Sequence, residues 1–179
     1  MCGRYRRTTR EEELARIYRI PIPSQPDLPI SYNIAPSQEV LAIRLNPETK
    51  QRSLDRLRWG LVPYWAKDEK IGFKTINARA ETIDTAHSFR SAFKKRRCLI
   101  PADGFYEWKK VIGGKIPYSI EMKDDSPFVF PGLWRVGRTR QLRSGCGPAR
   151  LSPANPTSWS LEYTLECLLF WHRKSTTGG

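Results

Sequence analysis

The chain has 179 residues, a length that suits one globular domain with a hydrophobic core. Hydrophobic residues make up 39% and charged residues 27%, which is the composition of a folded protein and excludes a disordered chain. With 31 Lys and Arg against 18 Asp and Glu, the formal net charge is +13. This surplus favours a polyanionic partner, with nucleic acid first and an anionic membrane surface second, although a solvated basic surface explains it equally well.

Targeting signals and metal-binding motifs are missing from the sequence. No apolar run approaches the length of a transmembrane helix, and the start MCGRYRRTTREEE lacks the apolar core of a secretory signal. We therefore expect a cytosolic protein without membrane contact. Cys2, Cys98, Cys146 and Cys167 are scattered and form no Cys-x-x-Cys pair, so neither a zinc site nor structural disulfides are expected. The sequence indicates no metal and no organic cofactor.

The first predicted element is a short helix over Thr9–Tyr18, because Thr9 and Glu12 have the spacing of a capping box. Its apolar residues fall on one face at helical spacing: Leu14, Ile17 and Tyr18. A proline-rich connector, IPIPSQPDLP, follows the helix. It is too short and too rigid to link two domains.

The rest of the body consists mainly of strand-like runs separated by turn residues. The predicted strands are Val40–Leu45, which an Asn-Pro-Glu turn follows, and then Leu99–Trp108, Ile116–Met122 and Pro127–Trp134. Ser88–Lys95 is a second short helix. This order predicts an α+β fold: a single, mostly β domain with short flanking helices and with function carried on the loops.

The chemistry begins at Cys2, directly after the initiator methionine. Removal of Met1, expected before a small side chain, leaves an α-amine and a thiol on adjacent carbons. Their reference pKa values, about 7.7–8.0 and about 8.5, leave both groups a nucleophilic fraction near neutrality. An aldehyde can form a Schiff base with the amine, and thiol attack then closes a five-membered thiazolidine. Taken alone, however, a cysteine at this position is more often an accident.

Five segments give Cys2 its context. They are MCGRY at 1–5, SYNIAP at 31–36, WGLVPYWA at 59–66, INARAET at 76–82 and CLIPADGFYEW at 98–108. In this order the segments resemble the SOS response-associated peptidase (SRAP) family, also called abasic site processing proteins. The resemblance covers residues 1–134.

The resemblance implies a set of catalytic residues. Cys2 is similar to the nucleophile that links covalently to the ring-opened aldehyde of an abasic site. Asn77 is similar to an active-site asparagine that orients the amine and the sugar. Glu107 is similar to the carboxylate that moves protons during Schiff-base formation. Outside this motif, Glu107 reads as an exposed strand residue without chemistry.

The resemblance also implies a surface for single-stranded DNA. Arg4 and Arg79 are similar to phosphate contacts, although solvated arginines are common in so basic a chain. Pro36 is expected to line the pocket. Trp65, in a Pro-Tyr-Trp loop, is expected to stack on a base, whereas Trp59 and Trp108 are expected to be structural.

Beyond Trp134 the sequence loses both helical and alternating periodicity. The segment 135–179 carries seven Lys and Arg against two Asp and Glu, and so supplies five of the thirteen net charges. The family has a His-x-Arg-x-Pro motif before an apolar strand, but neither His87, expected on the surface, nor His172 lies in such a context.

A shifted reading frame explains this loss. Joining the third base of each codon to the first two of the next permits TIITGEPNEL from Ala149 and HTRMPVILAPEKH from Tyr163, which contains the missing motif. We therefore expect that a one- or two-base insertion or deletion lies near codon 134. The predicted domains are an SRAP-like abasic site processing domain at 1–134, which lacks its C-terminal strands, and an out-of-frame tail without a domain at 135–179.

Three functions compete at this stage. The first is a monomeric enzyme that crosslinks abasic sites in single-stranded DNA through Cys2. The second is a peptidase that uses the N-terminal cysteine, either on peptide substrates or only on its own N-terminus. The third is a basic DNA-binding module without catalysis. The five segments favour the first.

Overall fold

The computed structural model describes residues 3–22 and 27–136, and the backbone of 149–153. This part of the chain contains two α-helices, α1 (Glu11–Tyr18) and α2 (Arg90–Lys95), and two short 3-10 helices, Glu69–Lys74 and Ala80–Thr82. The strands are β1 (Tyr5–Arg7), β2 (Ser31–Ile34), β3 (Glu39–Leu45), β4 (Arg52–Trp59), β5 (Arg97–Ala102), β6 (Gly104–Val111), β7 (Gly114–Ile120), β8 (Phe128–Val136) and β9 (Ala149–Pro153). The predicted α+β, mostly β fold is confirmed.

The strands form two layers. A four-stranded sheet has the order β2-β1-β6-β7, and a closed barrel has the order β3-β4-β9-β8-β5. The main core lies between the barrel and the inner end of the sheet, where apolar side chains of both meet. It includes Tyr5, Val40, Leu57, Ile100, Phe130 and Trp134.

The hairpin of β3 and β4 follows the predicted pattern. Its strands pair from Glu39–Arg58 to Leu45–Arg52. The predicted Asn-Pro-Glu turn is confirmed, because the side chain of Asn46 accepts hydrogen bonds from the backbone N–H groups of Glu48 (2.8 Å) and Thr49 (3.2 Å). An Asn side chain that bonds the backbone two residues ahead stabilises such a turn.

The single strand predicted over Leu99–Trp108 is wrong, because the chain breaks at Asp103 into β5 and β6. The buried Asp103 carboxylate accepts hydrogen bonds from the backbone N–H groups of Thr8 (2.6 Å) and Thr9 (2.9 Å) and from the Thr9 hydroxyl. Gly104 follows the break, and a Cβ there would lie 3.1 Å from the backbone oxygen of Ile120 on β7. The chain thus leaves the barrel at Asp103 and enters the four-stranded sheet.

The first helix is confirmed, but the structure corrects its predicted start. It begins at Glu11, and the capping box is wrong because the Thr9 hydroxyl donates to Asp103 instead. Glu11 is buried and accepts a hydrogen bond from Leu28 N (2.5 Å), which fastens the proline-rich connector to the helix. The predicted apolar face also shifts. Leu14 and Ala15 are buried, whereas Ile17 is exposed.

The last described elements lie near the predicted domain boundary. The predicted strand Pro127–Trp134 is β8, and it continues to Val136. β9 pairs antiparallel with β8 and, at Arg150 and Leu151, parallel with β4, so the barrel closes through a strand of the 135–179 segment. The division at 134 stays a prediction. Cys146, Cys167 and His172 lie outside the described residues.

Candidate functional site

The start of the chain runs along β6. Tyr5 pairs with Phe105 and Arg6 with Gly104, and the N–H of Tyr106 donates to the carbonyl of Arg4 (2.9 Å). One further step in this antiparallel register places Gly3 opposite Glu107. Cys2 itself lies outside the described residues.

Glu107 lies on the face of β6 that continues the core. Side chains alternate between the two faces of a strand, so Glu107 shares its face with Phe105, which packs against Phe128 and Phe130. Its cross-strand partner on β7 is Tyr118. The Glu107 Oε1 atom is inaccessible to solvent. The carboxylate expected to move protons therefore lies in a shielded position, not at a freely solvated one.

Asn77 is held by the tryptophan at the end of β4. The indole N–H of Trp59 donates to the carbonyl of Ile76 (2.9 Å), and Ala78 on the other side of Asn77 is buried. The Trp59 ring also contacts the ring of Tyr5, with centroids 5.5 Å apart. The Asn77 Oδ1 atom is inaccessible to solvent. Trp59, buried as expected, therefore connects the Asn77 segment to the strand that carries the N-terminus.

Pro36 lies in a turn that is fastened to the same tryptophan. The Gln38 N–H donates to Ala35 O (3.2 Å), and Ser37 has φ +72°, the sign that a type II turn requires after proline. The N–H of Ser37 donates to the carbonyl of Trp59 (2.8 Å), and the N–H of Trp59 to the carbonyl of Gln38 (2.9 Å). The turn of Pro36 and the segment of Asn77 are therefore both hydrogen-bonded to Trp59.

The two predicted phosphate contacts differ in their surroundings. Arg4 is half-buried, and its Nη1 donates to Asn33 Oδ1 on β2 (2.9 Å). Arg79 is exposed and immediately precedes the 3-10 helix Ala80–Thr82. Arg4 therefore lies beside the Glu107 strand, and Arg79 lies two residues after Asn77.

Trp65 is exposed, as expected of a residue that stacks on a base, with 41% of its surface accessible. Its ring stacks on that of His87, with centroids 5.2 Å apart and planes at 28°. The surface position predicted for His87 is confirmed, but the stack was not predicted, since it joins two segments 22 residues apart in sequence. Tyr64 is exposed beside Trp65.

Trp108 differs from Trp59 in its exposure. It is 40% exposed, whereas Trp59, the other tryptophan expected to be structural, is 3% exposed. The signal was its place in the sequence: Trp108 directly follows Glu107 on one strand, so the two side chains point to opposite faces. Glu107 faces the core, and Trp108 consequently faces outward.

The described residues contain neither a candidate metal-binding cluster nor a helix that could span a membrane. No three His, Cys, Asp or Glu side chains in this part of the chain form a group that could hold a metal ion. Neither of its α-helices has the length and apolar character needed to cross a bilayer.

Residues 1–151 match the family described as SOS response associated peptidase (SRAP). The abasic site processing protein YoaM of Bacillus subtilis is 54% identical over 112 residues, which are 62% of this chain and 48% of that protein. YoqW of the same organism is 46% identical over 142 residues, 78% of this chain and 62% of that protein. The match with HMCES of Gallus gallus is 42% over 82 residues, 44% of this chain and 24% of that protein. The chain thus covers less than two thirds of these relatives.

Solved structures share the fold. A crystal structure of a protein from Bacteroides thetaiotaomicron superposes with a TM-score of 0.71 at 25% identity, covering 88% of this chain and 71% of that one. A protein from Bordetella bronchiseptica gives a TM-score of 0.67 at 26% identity, covering 86% and 71%. The two-layer arrangement is therefore common to these proteins.

Proposed function

Because the chain belongs to the SOS response-associated peptidase family, we propose that it processes abasic sites in single-stranded DNA by forming a covalent link through Cys2. The relatives YoaM, YoqW and HMCES are named abasic site processing proteins. In this proposal the protein acts as a monomer, and one chain binds one DNA strand. The observation that carries the proposal is the register of β1 on β6, which brings Gly3, the residue bonded to Cys2, opposite Glu107.

The reaction needs an aldehyde, which the ring-opened sugar of an abasic site supplies. The α-amine of Cys2 attacks the aldehyde carbon, and loss of one water gives a Schiff base. The thiolate of the same residue then adds to the imine carbon, and the imine nitrogen takes up a proton. The product is a thiazolidine that joins the protein to the DNA without any oxidant or reductant.

Glu107 and Asn77 serve this sequence as proton carrier and orienting group. The carboxylate accepts a proton when the amine attacks and returns it to the hydroxyl that leaves as water. The amide of Asn77 holds the amine and the sugar in position. Support comes from burial, because the Glu107 Oε1 and Asn77 Oδ1 atoms are both shielded from bulk water.

Four further residues are proposed to contact the DNA. Exposed Trp65 offers a ring on which a base can stack, while Arg4 and Arg79 bind phosphates and Pro36 lines the pocket. The charge of residues 1–134, which is +8, favours this polyanion over a neutral ligand. Arg4 is hydrogen-bonded to β6 next to Glu107, Arg79 lies two residues after Asn77, and the turn of Pro36 is bonded to Trp59. Trp65 lies on the loop after β4.

The experiment is incubation with a single strand that contains one uracil-derived abasic site, followed by denaturing electrophoresis. The chain with its reading frame restored at codon 134 and its Cys98→Ala variant should both give a denaturation-resistant adduct, because burial raises the pKa of the Cys98 thiol and keeps it unreactive. Cys2→Ala in the restored chain should give none. An adduct with Cys2→Ala, or the absence of any adduct with the restored chain, contradicts the proposal.

A second candidate is self-cleavage, which the family's description as a peptidase favours. An N-terminal cysteine with a carboxylate on the neighbouring strand suits hydrolysis of the bond after Met1. Mass spectrometry of the mature chain distinguishes the two. In a host whose methionine aminopeptidase is inhibited, loss of Met1 from the chain with Glu107 but not from Glu107→Gln supports self-cleavage. The same N-terminus in both chains opposes it.

A further inference from the structure

The hairpin of β6 and β7 extends well beyond the rest of its sheet. The two strands pair from Phe105–Ile120 to Val111–Gly114, whereas β1 pairs only near the start of β6. Every residue of β7 is exposed, as is the distal half of β6. The outer part of the hairpin is thus an arm in solvent that starts at Glu107.

The outward face of this arm carries an unfavourable charge arrangement. Alternation places Trp108, Lys110 and Lys115 on this face, opposite to that of Glu107. Lys110 and Lys115 are direct cross-strand partners, so their Cβ atoms are about 4.5–5.5 Å apart. Among the described residues neither lysine forms a salt bridge. Two ammonium groups directly opposite each other destabilise a hairpin unless an anion lies between them.

We infer that this face of the β6–β7 hairpin binds the phosphates of the DNA strand that leaves the abasic site, a role that rests on the proposed function. The arm is continuous with the site. At about 3.3 Å per residue, Lys110 lies about 10 Å along β6 from Glu107. Trp108 lies between Glu107 and Lys110 in sequence and on the same face as Lys110 and Lys115. Its exposed ring can stack on a base next to the bound phosphates.

A nucleic acid strand suits the face better than a membrane does. Anionic lipid surfaces are bound by clusters of about four to eight basic residues. The outward face of the distal arm presents only the Lys110–Lys115 pair within the described strands, while Lys109 lies on the other face. A narrow row of one aromatic and two basic side chains corresponds to the width of a single strand.

The test uses the full chain with the double substitution K110Q/K115Q. Lys94 and Lys95, exposed at the end of α2, give the matched control K94Q/K95Q with the same net charge. The affinity for an undamaged single strand of about 20 nucleotides is measured at several salt concentrations. This strand is longer than the ~4–16 nucleotides that one small binding fold covers. Two lost phosphate contacts should reduce the slope of log K against log salt by roughly 1.4 in K110Q/K115Q, with no change in the control.

Crosslinking separates this inference from the proposed function. On an abasic strand of about 20 nucleotides, K110Q/K115Q should form adduct several-fold more slowly than the control, whereas on one of about 4 nucleotides, at the short end of known site sizes, the two should be equal. Failure of the chain with its reading frame restored at codon 134 to crosslink either strand rejects the proposed function but leaves the salt slopes to decide the hairpin's role. Equal salt slopes overturn the inference. The inference is also overturned if K110Q/K115Q loses binding to vesicles of anionic lipid while its binding to DNA is unchanged.

Discussion

At the scale of single residues, Trp59 connects the parts of the candidate site. Its ring contacts Tyr5, its indole N–H bonds the carbonyl before Asn77, and its backbone holds the turn of Pro36. None of the three contacts involves a neighbour in sequence. Substitution of this one residue should therefore affect the geometry of the site as well as the core.

Trp59→Phe should slow adduct formation. Phenylalanine keeps an aromatic ring but lacks the donor, so the carbonyl of Ile76 loses a hydrogen bond and the chain beside Asn77 is less fixed. A lost hydrogen bond of this kind costs about 1 kcal/mol, to which the smaller ring adds a cavity term. Trp134→Phe, in the barrel core, is the matched control. Adduct kinetics at a temperature where both variants are folded should show slowing in Trp59→Phe alone; equal rates would contradict the positioning role.

Tyr18 predicts a pH dependence of stability. Burial, with a smaller contribution from the carboxylate of Asp103, raises the pKa of Tyr18 to about 12. The unfolded chain ionises this phenol near its ordinary pKa of 10, and the folded chain only near 12. The contribution to stability is therefore complete below pH 10 and is lost as the pH rises to 12. Urea unfolding should show this fall in the unmodified chain, and a smaller one in Tyr18→Phe; identical profiles would oppose it.

At the scale of elements, the junction between barrel and sheet is the main point that sequence patterns did not predict. Strand propensity continues from Leu99 through Trp108, so no periodicity marks the break at Asp103. The break depends on hydrogen bonds to Thr8 and Thr9, about 95 positions away. The same contact displaces Thr9 from its predicted role as helix cap. Local patterns cannot report a partner so distant in sequence.

Elements that depend on contacts within their own segment could be predicted from the sequence. The strand predicted as Val40–Leu45 begins one residue earlier, and its Asn46 turn forms as expected, since both depend on alternation and on bonds within the turn. For the site, the motif residues Asn77 and Glu107 could be named from the family resemblance. The Trp65–His87 stack and the outward face of Trp108 required the folded chain.

Asp103→Asn should destabilise the junction. An amide offers one acceptor atom where the carboxylate uses two, so at least one buried donor of Thr8 or Thr9 loses its partner, at a cost of about 1–3 kcal/mol. Asp124→Asn is the control, because that carboxylate is exposed and its pKa is lowered mainly by hydrogen bonds from its near neighbour Ser126. Thermal unfolding should show a lower midpoint for Asp103→Asn and little change for Asp124→Asn. Equal midpoints would show that the junction does not depend on both carboxylate oxygens.

At the scale of the whole molecule, the barrel is closed by β9. Its contacts with β4 comprise the pairs Arg58–Arg150 and Trp59–Leu151, so this seam is as short as that between β3 and β5, which also has two pairs. The shifted reading frame permits Thr-Ile-Ile-Thr at the position of β9, and β-branched residues favour strands. The tail as written has Ala-Arg-Leu-Ser-Pro there, and proline removes a backbone donor.

We predict that the written chain is poorly stable and weakly active or inactive, and that restoring one reading frame at codon 134 corrects both. The restored barrel strand has stronger β propensity, and the histidine motif that follows it is expected from the family resemblance to help open the sugar ring. Circular dichroism on heating and limited proteolysis compare the two chains. A cooperative transition at the same temperature and equal protease resistance would refute the predicted loss of stability, and resequencing the DNA around codon 134 tests the frameshift itself.

The burial of Tyr5 has a kinetic consequence for the residue at the start of the chain. Tyr5 is 3% exposed and held by Trp59 and Phe130, and only Gly3 and Arg4 separate it from Cys2. Three residues span at most about 10 Å. An α-amine confined to a sphere of that radius has a local concentration on the order of 0.4 M, far above any concentration at which a free amine would encounter the same DNA. The short tether therefore makes the first step, attack of the amine on the aldehyde, a local event as soon as the strand is bound.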